Sequence, residues 1–340
     1  MITISDIASR AGVSRTTVSY VLNGRESGVR ISEETRRRVQ EAASAMGYRR
    51  NSLAHAVTTG KNPVLGFLAC APEGELVARL LAGALDEAEE ASYFIKVLRL
   101  RHNTVNAEVI ERCAELRLAG VIVLYLDQGQ LKYLQGEMAR YEIPVAVLDD
   151  SFPQPAGIRV ISDDVQGCRL AIQHLAALGH KRIAFISGAP TSGCAVLRED
   201  GFQAAMREAK LPLPEGYLLR GEWNIEATEQ AALQLLSSEH GRPTAILCAG
   251  DEWAMVAMRT LRRQGLHVPE DVSVVGFGDF RTSQFWEPPL TTVAQPFQEM
   301  GRLAVRRLLQ KIQAPDDPLP REDALPTQLI VRESTAAASS

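Results

Sequence analysis

Two short amphipathic segments at the start of the chain are separated by only Gly12 and Val13. The first opens on Thr3-x-x-Asp6, a capping-box-like start, and carries Ile4, Ile7, Ala8 and Ala11 at helical spacing. The second, VSRTTVSYVLNG, has Ser14 placed to cap it and sets Val18, Val21 and Leu22 on one face. Two short amphipathic helices with so tight a link form a helix-turn-helix. A third helix is predicted after Ser32, with Glu33 and Glu34 at its positive end and a stripe of Val39, Ala42, Ala43 and Met46, so that three helices share one small core.

Charge separates this start from the rest. Residues 1–60 hold nine Arg and no Lys against five acids, a net of +4, whereas the whole chain is at −4, leaving −8 for the other 280 of its 340 residues. A basic end on an acidic body points to a polyanion-binding module joined to something else. In a helix-turn-helix the second helix enters the major groove. Its outer face offers Arg15, Thr16 and Tyr20 as readers of base edges, with Ser14, Thr17 and Ser19 suited to phosphate oxygens. The competing reading is a solvated face on an ordinary three-helix unit; the positive charge and the tight turn favour DNA.

Other chemistries find little support. The five cysteines (Cys70, Cys113, Cys168, Cys194, Cys248) have no CxxC spacing and the six histidines form no HExxH, so neither a disulfide frame, a metal site nor a cofactor is expected. SGAPTSGCA from Ser187 has Cys194 where a phosphate-cradling loop needs Lys, and there is no GxSxG or GxGxxG, which argues against an enzyme. No apolar run reaches membrane-spanning length and MITISDIASRAG does not read as a secretory signal, so the expected location is the cytoplasm.

TISDIASRAGVSRTTVSYVLNG followed by ISEETRRRVQEAASAMGY resembles the headpiece of the lactose/galactose repressor (LacI/GalR) family of bacterial transcription regulators, and the resemblance runs through almost the whole chain. It implies a headpiece over 1–49, a hinge over 50–61 and an effector-binding, dimerising core over 62–340. It adds Thr3, Asn23 and Asn51 to the DNA-contacting set. In the hinge RNSLAHAVTTGK, the position of the family's minor-groove leucine falls on Val57 and that of a preceding arginine on His55. Val57 either wedges a base step as leucine does, less strongly, or bends the DNA less.

Beyond the hinge, short apolar runs alternate with helical patterns. Strands are expected at Val64–Ala69, Phe94–Leu98, Gly120–Tyr125, Pro144–Asp149, Arg182–Ser187, Thr244–Cys248, Asp271–Phe277 and Leu290–Val293. Helices are expected at Glu75–Ala91, Val165–Leu178 and Glu252–Gln264. Alternation of this kind implies an α/β core of doubly wound parallel sheets. The resemblance resolves it into two periplasmic-binding-protein-like lobes, one from 62–161 and 293–322, the other from 162–292 and 323–334, with crossovers near Ser162, Thr292 and 322–325. LGHKRIAFISG, REDGFQAAM, PTAILCAGDEWAMVAMRTLRRQGLHVPEDVSVVGFGD and PPLTTVAQPFQEMGRLAV carry it.

The same resemblance places Asp149, Arg198 and Trp223 on an effector in the cleft, with Phe297 as an apolar wall. At strand ends where sugar-sensing relatives often carry polar ligands, this chain has Cys70, Leu124, Gly250 and Gly278, while Asp251, able to cap the helix after it, and Asp279 read as structural. Lost hydrogen-bonding groups and the volume left by two glycines suggest an effector larger or less polar than a simple hexose, such as a sugar derivative. A nucleoside-like ligand, or a partner protein, is the alternative. The partners expected are palindromic operator DNA, the effector and a second copy of the chain, since one headpiece reads only a half-site. The tail RESTAAASS lacks the heptads of a tetramerising helix.

Overall fold

The structure, a computed structural model, describes residues 2–23, 31–48, 62–71, 74–124, 126–148 and 157–338. It divides into two units, Met1–Asn62 and Pro63–Ser340.

In the first unit, α1 (Ile4–Ala11) begins at a capping box: the Thr3 hydroxyl accepts from Asp6 N, and Asp6 Oδ2 accepts from Thr3 N at 2.8 Å. These bonds hold the Asp6 carboxyl below its usual pKa. Gly12 ends the helix at φ 63°, a left-handed conformation that glycine adopts without strain. The chain can therefore turn at once into α2 (Arg15–Asn23), and α3 (Glu33–Ala45) follows, capped by Ser32. Ile7, Ala8, Ala11, Val18, Val21, Val39, Ala42 and Ala43 are the buried centre, with Leu22 and Met46 against it. The Arg38 guanidinium donates to the Ala11 carbonyl at 3.0 Å, satisfying an acceptor at the open end of α1.

The second unit has two lobes, each built on a six-stranded sheet of described residues. The first sheet comprises β1 (Val64–Ala69), β2 (Phe94–Arg99), β3 (Gly120–Leu124), β4 (Val145–Leu148), β5 (Ile158–Ser162) and β11 (Asp323–Leu325), in the order β11-β5-β4-β3-β1-β2, all parallel. The second comprises β6 (Ile183–Ser187), β7 (Leu218–Arg220), β8 (Ala245–Cys248), β9 (Ser273–Gly278), β10 (Thr291–Ala294) and β12 (Gln328–Ile330), in the order β12-β10-β9-β8-β6-β7. Only β12 within it runs antiparallel to its neighbour. The two doubly wound lobes agree with the expected fold class. Strands buried on both faces read as unbroken apolar runs, which is why VLGFLA and GVIVL were visible as β1 and β3.

Helices α4 (Glu75–Glu90), α5 (Ala107–Glu115), α6 (Gln128–Arg140) and α11 (Phe297–Gln313) cover the first sheet, and α7 (Asp164–Ala177), α8 (Gly193–Glu208), α9 (Ile225–Leu236) and α10 (Asp251–Arg263) the second. Helices α4 and α11 touch backbone to backbone: a Cβ on Gly83 would lie 1.8 Å from the Gln298 carbonyl oxygen.

Strand pairing moves two expected boundaries. Asp323–Leu325 pairs with β5, so these residues belong to the first lobe, and the third crossover falls between Leu325 and Gln328. Thr291–Ala294 pairs with β9, so the second lobe extends past 292 and the first resumes at α11. After β12 the chain stays on the second lobe, where buried Ser334 accepts from Thr291 N and donates to Val274 O, at 2.8 and 2.6 Å.

Candidate functional site

On the headpiece, the apolar face of α2 is buried through Val18 and Val21, which turns its other face outward. Arg15 and Thr16 are exposed; Tyr20 and Ser19 are half-buried. Ser14 and Thr17 bond to each other, Thr17 N donating to Ser14 Oγ at 3.0 Å and the two hydroxyls lying 2.8 Å apart. Their first role is thus to start the helix, and a phosphate would have to share them. No acid occupies the first turn of α2, so its positive end is open to an anion. Thr3 is exposed and caps α1, while Asn23 is the last residue of α2. Asn51, His55 and Val57 lie outside the described residues.

In the core, parallel sheets bring ligand-binding positions to the carboxyl ends of their strands. Arg198, on α8, reaches those ends in the second lobe and is only 5% exposed. Its Nε donates to Asp164 Oδ2 at 2.7 Å, Nη1 to Ala249 O at 2.6 Å and Nη2 to Gln295 Oε1 at 3.1 Å, and the guanidinium lies 4.2 Å from the Phe277 ring centroid. Asp164 also accepts from Ser162 Oγ at 2.6 Å and from Gln295 Nε2 at 3.3 Å. Ser162 ends β5 and Gln295 follows β10, so Arg198 joins two of the three crossover segments. A guanidinium can do this because its donors form a planar fork.

Trp223 stands on a loop braced from below. Gly221 N donates to Ser187 O at 2.7 Å, and buried Thr228 donates to Asn224 O at 2.8 Å. Glu222 and Trp223 both take positive φ, 52° and 51°, a conformation that strains residues with a Cβ and persists where surroundings enforce it. The indole packs against Gly188, where a Cβ would sit 2.0 Å from the ring. Trp253, in the first turn of α10, meets it with ring centroids 6.1 Å apart at 48°.

Three expectations need correcting. Leu124 is 1% exposed in the apolar core of the first lobe, among residues of α4 and α11, because strand alternation turns it into that core. Phe297 is fully buried in that same core, and the more exposed Phe280 stacks against it with centroids 6.2 Å apart. Gly250 and Gly278 leave no open volume: Cβ atoms there would lie 2.9 Å from the Trp253 ring and 3.2 Å from the Phe280 ring. Cys70 is half-buried at the end of β1, and Asp149 lies outside the described residues.

Asp251 is fully buried, but the helix cap is Gly250. The Asp251 carboxylate instead accepts from Phe280 N, Ser283 Oγ and Thr292 Oγ1. Burial pushes its pKa up against the pull of those bonds. Asp279 takes the Arg332 guanidinium at 2.6 Å. Among the described residues no group of three or more His, Cys, Asp or Glu is arranged to hold a metal. Sequence reasoning missed Asp164, Gln295, Ser162 and Trp253, of which Trp253 had a visible signal: a tryptophan in the first turn after a strand-end glycine.

Comparison with known proteins fits this arrangement. Residues 3–51 match the family described as bacterial regulatory proteins, lacI family, and residues 172–335 match the periplasmic binding protein-like domain. The HTH-type transcriptional repressor PurR of Haemophilus influenzae (strain PittEE) is 31% identical over 98% of both chains. The ribose operon repressor of Haemophilus influenzae (strain ATCC 51907) is 28% identical, again over 98% of both. A crystal structure of the Lac repressor dimer bound to operator and the anti-inducer ONPF superposes with a TM-score of 0.82 at 30% identity, covering 99% of each chain.

Proposed function

The chain belongs to the LacI family of bacterial regulatory proteins, DNA-binding transcriptional repressors and not enzymes, and on that premise we propose how it reads DNA and what it senses. Two copies bind a palindromic operator, Arg15, Thr16 and Tyr20 contacting base edges in each half-site and the α2 terminus resting on phosphate. A small molecule at the strand ends of the core shifts the lobe arrangement and with it operator affinity. The Lac repressor supports both parts as a relative seen as a dimer on operator with an anti-inducer.

The effector is flat and sparsely hydroxylated, a nucleobase or nucleoside before a free hexose. One observation carries this: the cleft residue best equipped to hold sugar hydroxyls, Arg198, has committed donors to Asp164, Ala249 and Gln295, while two tryptophan rings occupy the neighbouring strand ends. Aromatic faces suit planar rings, and a buried hydroxyl left without a partner costs about 1–3 kcal/mol. The two glycines add no volume for the effector, since Trp253 and Phe280 fill those positions.

The test selects operators from random DNA, then measures operator anisotropy with adenine, hypoxanthine, uracil, adenosine, ribose and cellobiose. At least one base or nucleoside should change affinity several-fold, and Arg15→Ala should relax preference at one symmetric pair of positions. A response to ribose or cellobiose alone would reject the ligand class; unchanged specificity in Arg15→Ala would reject that residue as a reader.

A further inference from the structure

Two groups beside Trp223 carry no assigned contact to an effector. One is Trp253. The other is Ser187, the last residue of β6, which is 3% exposed and whose Oγ has no hydrogen-bond partner. Buried hydroxyls are normally paired, so an orphan calls for an explanation. Strand alternation puts Ser187 on the same face as Ile183 and Phe185, the face covered by α8, from which Arg198 projects. Its backbone carbonyl anchors the Trp223 loop through Gly221 N, and its neighbour Gly188 is the floor of the Trp223 ring. β6 and β8 are paired neighbours, so Gly188 and Gly250, the footings of the two indoles, end adjacent strands.

We propose that Trp253 and Ser187 complete the effector-contact surface of the second lobe: the two indoles form an aromatic corner that takes the face and edge of a heterocyclic ring, and Ser187 Oγ bonds a polar atom on that ring. The inference rests on the small-molecule reading above and deepens it. A flat indole pair at 48° offers one face for stacking and a second for edge-on contact, the two arrangements aromatic rings prefer. Ser187 is a specificity residue here, since a hydroxyl can donate to a ring nitrogen or accept from an exocyclic amine. Gly188 and Gly250 are required by the arrangement, because any side chain at either position displaces an indole.

The experiment uses the full-length chain, with titration calorimetry for adenine, hypoxanthine, uracil and adenosine, and ribose and cellobiose as hydroxyl-rich comparators. Trp253→Ala should weaken the best-binding base about tenfold or more, as expected for loss of base stacking. Trp253→Phe should recover most of that loss. Ser187→Ala should weaken the same ligand about two- to tenfold, the range of one neutral hydrogen bond, without lowering Tm. Free base against adenosine distinguishes a bare ring from a ribosylated one.

If a base binds and both alanine variants bind it as tightly as the parent, the corner is not the contact surface, although the effector reading stands. If only ribose or cellobiose binds, or no member of the panel binds, the heterocycle corner is rejected. The second of those results, joined to operator affinity that no compound changes, overturns the effector reading too. A lower Tm in Ser187→Ala would make that hydroxyl structural and remove it from the site.

Discussion

Replacing Arg198 by methionine keeps much of the side-chain volume and deletes the guanidinium. Asp164, 2% exposed, would lose its 2.7 Å partner and keep only Ser162 Oγ and Gln295 Nε2, both neutral donors. Ala249 O and Gln295 Oε1 would lose donors at 2.6 and 3.1 Å. Breaking a buried ion pair from one side costs about 3–5 kcal/mol, because the remaining charge stays desolvated without compensation. All three tryptophans, Trp223, Trp253 and Trp286, lie in the second unit, so urea unfolding followed by indole fluorescence reports on the unit that carries the pair. With a urea slope of about 3 kcal/mol/M, the midpoint should fall by about 1–1.7 M. Arg198→Met with Asp164→Asn removes the stranded charge and should be more stable than Arg198→Met alone by about 1–2 kcal/mol. A loss below about 1 kcal/mol, or a double variant as unstable as the sum of the singles, would refute ion pairing as the reason for the burial of Arg198.

Further outcomes follow from packing and titration. Gly83→Ala puts a methyl group into the Gln298 backbone, which no rotamer change relieves, so α4 and α11 must part; a loss of about 1–3 kcal/mol in the same urea assay is expected, and an unchanged midpoint would mean the helices slide freely. Burial pushes the Cys113 thiol up to about 11 and raises Cys168 and Cys248 further, so at pH 8 only about one Cys113 in a thousand is thiolate. A disulfide reagent should therefore react quickly with Cys70 alone in the native chain and with five thiols in denaturant; three or more fast thiols would contradict this. Burial lowers the pKa of His174 and His180 from 6.5, so the unfolded chain takes their protons more readily. Their contribution is fully present above pH 6.5 and is lost as pH falls through the folded values. The urea midpoint should drop between pH 7.5 and 5, and His174→Gln with His180→Gln should reduce the slope; an equal slope would assign the drop to other groups.

Much of the fold was legible where burial is one-sided or complete, although β5 (Ile158–Ser162), buried throughout, was not among the expected strands. Apolar runs marked β1, β3, β6 and β9, and the stripe Ile7, Ala8, Ala11 marked α1. The short strands Leu218–Arg220, Asp323–Leu325 and Gln328–Ile330 were not, because half-exposed three-residue segments carry no period. At the site, Arg198 was found through a motif and its partners were not. Asp164 and Gln295 are 34 and 97 residues from it, and nothing local in SDDVQG or VAQPF announces a buried carboxylate or amide. Gly250 and Gly278 were misread as space because a glycine in sequence does not reveal which neighbour needs the room.

The contacts that α4 makes to the second lobe are individually weak. Between the lobes, Arg79 on α4 donates to the Asp279 carbonyl at 2.9 Å while its guanidinium lies 5.1 Å from the Phe297 ring centroid, and Glu75 accepts from Arg281 N at 2.7 Å. Both side chains are a third exposed, so each bond contributes about 0.5–1.5 kcal/mol, not the value of a buried pair. Together they give about 1–3 kcal/mol between the lobes. Typical coupling energies between two ligand sites are also about 1–3 kcal/mol. A ligand that prefers one lobe arrangement by that amount is thus matched to these contacts. The Arg198 network, whose buried ion pair costs about 3–5 kcal/mol to break from one side, ties the crossover segments together more firmly than these contacts tie the lobes.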